Sequence, residues 1–147
     1  MSTMRSTDRA KVIAFGKALS RWLKTNKAYA CLPDNCTWSA GGCWILARAL
    51  KKYIGKEAKL ETILSAGLQI PQHVVVRVGD VYLDGDGASS AWRLVQRWEK
   101  LEWMDVTDIV PFSKDLQRVG RSQGIPCAAG TVDRLVDEIT KKFGRWE

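Results

Sequence analysis

The sequence predicts an α+β domain with a small antiparallel sheet. Three observations carry that expectation. Helical periodicity marks both ends of the chain and a stretch following residue 42. A Val-rich run, Gln72 to Val78, has strand character. Gly79-Asp80 then joins it to Val81-Tyr82-Leu83-Asp84 as a hairpin turn. The 147 residues suit a single domain, 1–147, without internal repeat, low-complexity segment or linker. A hydrophobic content of 46 % supplies an ordinary core and excludes wholesale disorder. No apolar run approaches the ~20 residues needed to span a bilayer.

The elements follow in order. From about Thr7 to Lys27, Val12, Phe15, Leu19, Trp22 and Leu23 recur at helical spacing. Pro33-Asp34-Asn35 and Gly41-Gly42 then signal turn and loop. A second helix starts near Cys43, runs through Ile45, Leu46, Ala49, Leu50 and Tyr53, and stops at Gly55. Lys59 to Leu64 reads as a strand ahead of the hairpin, which Gly85-Asp86-Gly87 ends. Ser89 or Ser90 caps a third helix whose core face carries Trp92, Leu94, Val95 and Trp98. Trp103 to Val110 adds a strand or an extended connection, and Pro111 to Pro126 has no clear pattern. The final helix begins near Thr131, shows Val132, Leu135, Val136, Ile139 and Phe143 on one face, and closes at Gly144.

The formal net charge of +7 is concentrated at one end. Residues 1–30 hold seven Lys/Arg and one acid, and the remainder is nearly neutral. This basic amphipathic helix presents Lys17, Arg21 and Lys24 opposite its apolar face, as a solvated surface or a docking site for an acidic partner. Met1 to Ala10 is polar and lacks the apolar core of a secretory signal, which predicts an intracellular, cytoplasmic protein.

Two features carry chemistry. Gly41-Gly42-Cys43-Trp44 opens a helix, so Cys43 meets the positive end of the macrodipole, where a thiolate is favoured. Free N–H groups of the first turn lie beside it and suit an oxyanion. The only histidine, His73, opens the strand whose hairpin partner ends in Asp84. With Val78 facing Val81, His73 faces Asp86, and His73, Asp84 and Asp86 share one face of the sheet. Either acid suits the imidazole, and a Cys–His pair oriented by a carboxylate is the arrangement for nucleophilic thiol catalysis.

Gly41-Gly42-Cys43-Trp44, Ala47, Ala49, Leu50 and Gly55, then His73-Val74-Val75-Val76 and Tyr82-Leu83-Asp84, resemble the core of the papain-like thiol enzymes. The layout is most similar to their compact transglutaminase-like branch, and it covers residues 41–87. The resemblance implies a nucleophile at a helix N-terminus packed on a small antiparallel sheet, with flanking helices at both ends. It also implies Cys43 as nucleophile, His73 as base and then acid, and Asp84 as the orienting carboxylate, with Asp86 as the alternative. Papain-type enzymes place a Gln shortly before the Cys. Here Asn35-Cys36-Thr37-Trp38-Ser39 has none, so Asn35 or a backbone amide, such as that near Gly42, would complete the oxyanion site. Trp38 and Trp44 flank the nucleophile and would line a substrate cleft.

Plainer roles exist for each residue. Cys43 also suits a small buried hydrophobe, and His73 a satisfied strand-end histidine. Cys31, Cys36, Cys43, Cys127 and His73 lack the paired spacing of a zinc knuckle, and Asp84-Gly85-Asp86-Gly87 lacks the downstream Glu of a calcium loop, so no metal is expected. The leading expectation is a thiol hydrolase or acyl transferase acting on an amide, isopeptide or ester bond of a peptide-like substrate, without cofactor. The alternative is a non-catalytic binding protein, such as a phage or mobile-element protein that blocks a host factor, using the basic helix. Nucleic-acid binding ranks last, since only charge supports it.

Overall fold

The structure is a computed structural model. It describes residues 6–33, 36–38, 42–65, 71–102, 106–112 and 129–146. The elements are α1 (Ser6–Leu23), α2 (Asn26–Tyr29), α3 (Gly42–Ile54), β1 (Ala58–Ser65), β2 (Pro71–Val78), β3 (Val81–Asp84), β4 (Gly87–Ser89), α4 (Ala91–Glu102), β5 (Val106–Pro111) and α5 (Ala129–Phe143). The strands form one antiparallel sheet in the order β4-β3-β2-β1-β5. The domain is therefore α+β. Among the described residues no helix is long and apolar enough to cross a membrane.

The strand alternation divides the core in two. Val74, Val76, Val78, Val81 and Leu83 face the larger layer, where α3 packs on β1 and β2, α1 on β3 and β4, and α5 on α3. Ile63 and Val75 face the other side, where Leu94 and Trp98 of α4 cover them. Because β2 is buried on both faces, its Val-Val-Val run is apolar without alternation. α3 is apolar from Gly42 to Ala47 for a similar reason, being enclosed by sheet and helices. Its last turn is tied down by Lys51, whose ammonium donates to the carbonyls of Gly55 and Ala58.

Several sequence expectations are corrected. α1 ends at Leu23, because the Thr25 hydroxyl donates to the Trp22 carbonyl and accepts from the Ala28 amide, starting a separate short helix. Gly87–Ser89 is not the end of the hairpin but a third antiparallel strand, with Asp84 paired to Gly87. The β2–β3 ladder runs from Val78↔Val81 to Val76↔Leu83, and the chain turns at Gly85-Asp86 before Asp86 comes opposite His73. Trp92 points to solvent at 67 % exposure, while Leu94 and Trp98 form the buried face of α4. Ser90 caps that helix, its hydroxyl accepting from the Arg93 amide. Trp103 and residues 113–128, including Cys127, lie outside the described residues.

Candidate functional site

The start of α3 is held by a tight contact with residues 36–38. The Gly42 amide donates to the Thr37 carbonyl at 2.8 Å, and a Cβ on Gly42 would collide with that oxygen. Glycine at this position lets the preceding strand-like segment close over the helix start. Cys43 follows in the first turn, 5 % exposed.

His73 projects from β2 toward the α4 side, past the last β2–β3 pair, and is 2 % exposed. Its ring stacks on Trp98, with centroids 4.3 Å apart and planes 14° from parallel. Nε2 faces Asp84 Oδ2 at 3.0 Å. Asp84, at the end of β3, is buried and multiply satisfied. Its Oδ2 also accepts from Arg97 Nη2 at 2.6 Å, and its Oδ1 accepts from the Asp86 amide at 3.0 Å. Asp84 is thus the carboxylate on the imidazole. Asp86 shapes the turn, and its own carboxylate, mostly in solvent, lies 3.5 Å from Arg97 Nε.

The electrostatics follow from these contacts. Burial pushes the His73 pKa down, but the Asp84 hydrogen bond, the Cys43 side chain and the Asp84 charge outweigh it, raising the value to about 9. Burial pushes the Asp84 carboxyl up. The His73 hydrogen bond and charge, the Arg97 charge and the Asp86 amide outweigh that and hold it below the usual carboxylate range. His73 Nδ1 is buried and makes no hydrogen bond of ordinary geometry, although the Cys43 side chain acts on the same ring. The Cys43 side chain thus bears on the imidazole whose Nε2 is held by Asp84.

A cavity of about 130 Å³ opens onto His73. Leu23, Lys24, Tyr29, Trp38 and Asp86 are among its walls. Trp38 is fixed there by its Nε1–H, which donates to the Leu23 carbonyl at 2.7 Å, and Gly85 packs against its Cβ. Trp44 is not a cleft residue: it is 2 % exposed and sits edge-on to Phe112 in the core, 4.9 Å between centroids. Cys43 is not among the cavity walls either. Asn35 and Gly41 lie outside the described residues.

Sequence reasoning placed Trp98 in the core, where it lies, but missed Arg97 and the stacking of Trp98 on His73. The signal was present in α4. Leu94 and Trp98 are one helical turn apart on the buried face, and Arg97 falls at its border, within reach of the two acids of the preceding turn. Among the described residues no group of three or more His, Cys, Asp or Glu is placed to hold a metal ion. In the N-terminal segment, Lys17, Arg21 and Lys24 are exposed, whereas Arg9 pairs with Asp80, Lys27 of α2 with Glu138, and Lys11 lies over Trp146.

Comparison of the chain with family models, curated proteins and solved structures finds no match.

Proposed function

We propose that this protein is a papain-like thiol hydrolase or acyl transferase, of the cysteine protease or amidase type, acting on an amide, isopeptide or ester bond of a peptide-like substrate. One observation carries the reading: the sole histidine is buried with Nε2 on the buried Asp84 carboxylate at 3.0 Å, and the side chain of Cys43, in the first turn of α3, acts on the same imidazole. In the proposed reaction His73 takes the Cys43 thiol proton, and the thiolate attacks the carbonyl carbon. The Gly42 amide is engaged by the Thr37 carbonyl, so the tetrahedral oxyanion is met by the first-turn amide N–H groups that follow it. As the C–N or C–O bond breaks, the imidazolium gives its proton to the leaving amine or alcohol, and a thioester remains. Water or another acceptor then attacks the thioester. His73 takes the acceptor's proton and returns it to sulfur, releasing the acyl product. The scheme calls on no metal or organic cofactor.

Iodoacetamide labelling of the full chain, located by peptide mass mapping, tests this. Rapid modification at Cys43, slowed by His73→Ala and abolished by Cys43→Ala, is the expected outcome. Cys43 labelling no faster in the native protein than in His73→Ala would overturn the reading.

A further inference from the structure

The carboxylate of Asp84 is shared in an uneven way. One oxygen, Oδ2, receives both His73 Nε2 at 3.0 Å and Arg97 Nη2 at 2.6 Å. Arg97 is itself braced. Its Nη1 donates to Ser89 Oγ at 3.0 Å, while its Nε, 3.5 Å from Asp86 Oδ2, has no hydrogen bond among the described residues. These contacts tie α4 to the end of β3 at Asp84 and to the end of β4 at Ser89. Such a fork suits a guanidinium, whose planar donors address several acceptors at once.

Charge balance gives the contact a meaning beyond bracing. A thiolate, an imidazolium and a carboxylate together carry one net negative charge. Cys43, His73 and Asp84 are all at most 5 % exposed, and Trp98 covers the ring. An unbalanced charge at that depth is costly. Among the described residues the other charged groups nearby do not balance it. Lys24, at the end of α1, and Asp86 stand at the cavity wall toward solvent, and Glu61, on the same face of the sheet, is engaged by Arg77 and Tyr82. Arg97 from α4 is the cation in contact with Asp84.

We propose that Arg97 is a positioning residue of the thiol site, the counter-ion that balances the Asp84 carboxylate and fixes its place beside His73. This rests on the reading of Cys43, His73 and Asp84 given above. Arg97 does not touch the reacting atoms. It acts through Asp84, by making the ion array electrically neutral.

The test reads two pH profiles in the full chain. The first is the rate of Cys43 modification by iodoacetamide. Arg97→Gln moves that profile upward by about one pH unit, a roughly tenfold loss at neutral pH, as expected for removing a neighbouring opposite charge from a carboxylate-supported site. Arg97→Lys, which keeps the charge, recovers most of the rate. The second is the NMR titration of the His73 imidazole in a Cys43→Ala background, which is unambiguous because the chain has one histidine. Removing the Arg97 charge raises that midpoint as well. A purely structural ion pair predicts lower stability with both midpoints unmoved, and that result in folded Arg97→Gln overturns the proposal. If Cys43 proves unreactive even in the native chain, the thiol-site reading fails separately, and the His73 midpoint still reports whether Arg97 governs the Asp84–His73 pair. Should Arg97→Gln not fold, Ser89→Ala loosens the fork by one acceptor. A smaller upward move of the midpoint supports the proposal, and none overturns it.

Discussion

Trp98 lies flat against His73, ring on ring at 4.3 Å and 14°. The indole thus forms one wall of the site while its other contacts complete the smaller core with Ile63, Val75 and Leu94. Its Nε1 is buried and makes no hydrogen bond among the described residues. Trp98→Ala removes both packing and stacking, and is expected to cost about 3–5 kcal/mol in urea unfolding. Trp98→Phe keeps an aromatic face and discards the unpartnered donor, so its cost is expected to stay within about 1.5 kcal/mol. Equal losses for the two variants would mean that the stacking geometry is incidental.

Stability is expected to fall as the solution becomes alkaline. The folded pKa of His73 is raised from its ordinary 6.5 to about 9, so its contribution is complete below 6.5 and lost as pH rises through about 9. Asp84 has the opposite sign: its folded pKa is lowered, so its contribution is present above its ordinary 3.8 and is lost as pH falls through the folded value. The optimum lies between these limits. Urea midpoints measured on both sides of the window check this. Asp84→Asn is expected to flatten the alkaline slope, and an unchanged slope in that variant would remove Asp84 as its cause.

The two acids of the turn are expected to separate in function. Asp84→Asn leaves His73 Nε2 and Arg97 without their anion and should slow Cys43 modification at neutral pH by about tenfold or more. Asp86→Asn removes only a solvent-facing carboxylate while keeping the amide that serves Asp84, and should change the rate by no more than about twofold. Parallel alkylation time courses on the two variants decide. A larger effect at Asp86 would reassign the orienting acid.

Glycine substitutions give a structural check at the helix start. Gly42→Ala places a methyl against the Thr37 carbonyl and is expected to destabilise by about 1–3 kcal/mol and to disturb the setting of Cys43. Gly130, in the first turn of α5, faces open space, and Gly130→Ala is expected to stabilise by about 0.4–1 kcal/mol. Thermal or urea unfolding of both variants tests the pair, and a neutral Gly42→Ala would show that the 36–38 segment yields easily.

Much of the arrangement was legible from the sequence where a residue's neighbours in the chain decide its fate. The start of α3, the β2 valine run and the turn at Gly79-Asp80 are of this kind, and the structure has all three. Strand alternation alone put Asp84 and Asp86 on one face and left the choice between them open. The choice is made by the tight β3–β4 turn, which redirects the chain after Asp84. The same turn hid β4, because a three-residue strand with two small polar ends has no period to read. In α4 a helical wheel accommodates either Trp92 or Trp98 on the apolar face, and packing on the sheet selects Trp98. For Arg97 the helix pattern shows only a place at the border of the buried face; its partners Asp84 and Ser89 are set by packing and not by spacing along the chain.

The Arg- and Lys-rich helix α1 packs on β3 and on the edge strand β4, with Val12, Phe15, Leu19, Trp22 and Leu23 buried beneath it. The Ser20 hydroxyl donates to the Gly85 carbonyl, fastening the same helix to the turn beside Asp84. Trimming this helix away would strip cover from a short strand end and bare a row of large apolar side chains, the usual invitation to edge-to-edge aggregation. The positive charge of the N-terminal segment is therefore inseparable by deletion from the integrity of the sheet. Its contribution to any partner is accessible only through charge-reversing substitutions at Lys17, Arg21 and Lys24, which leave the buried side of the helix in place.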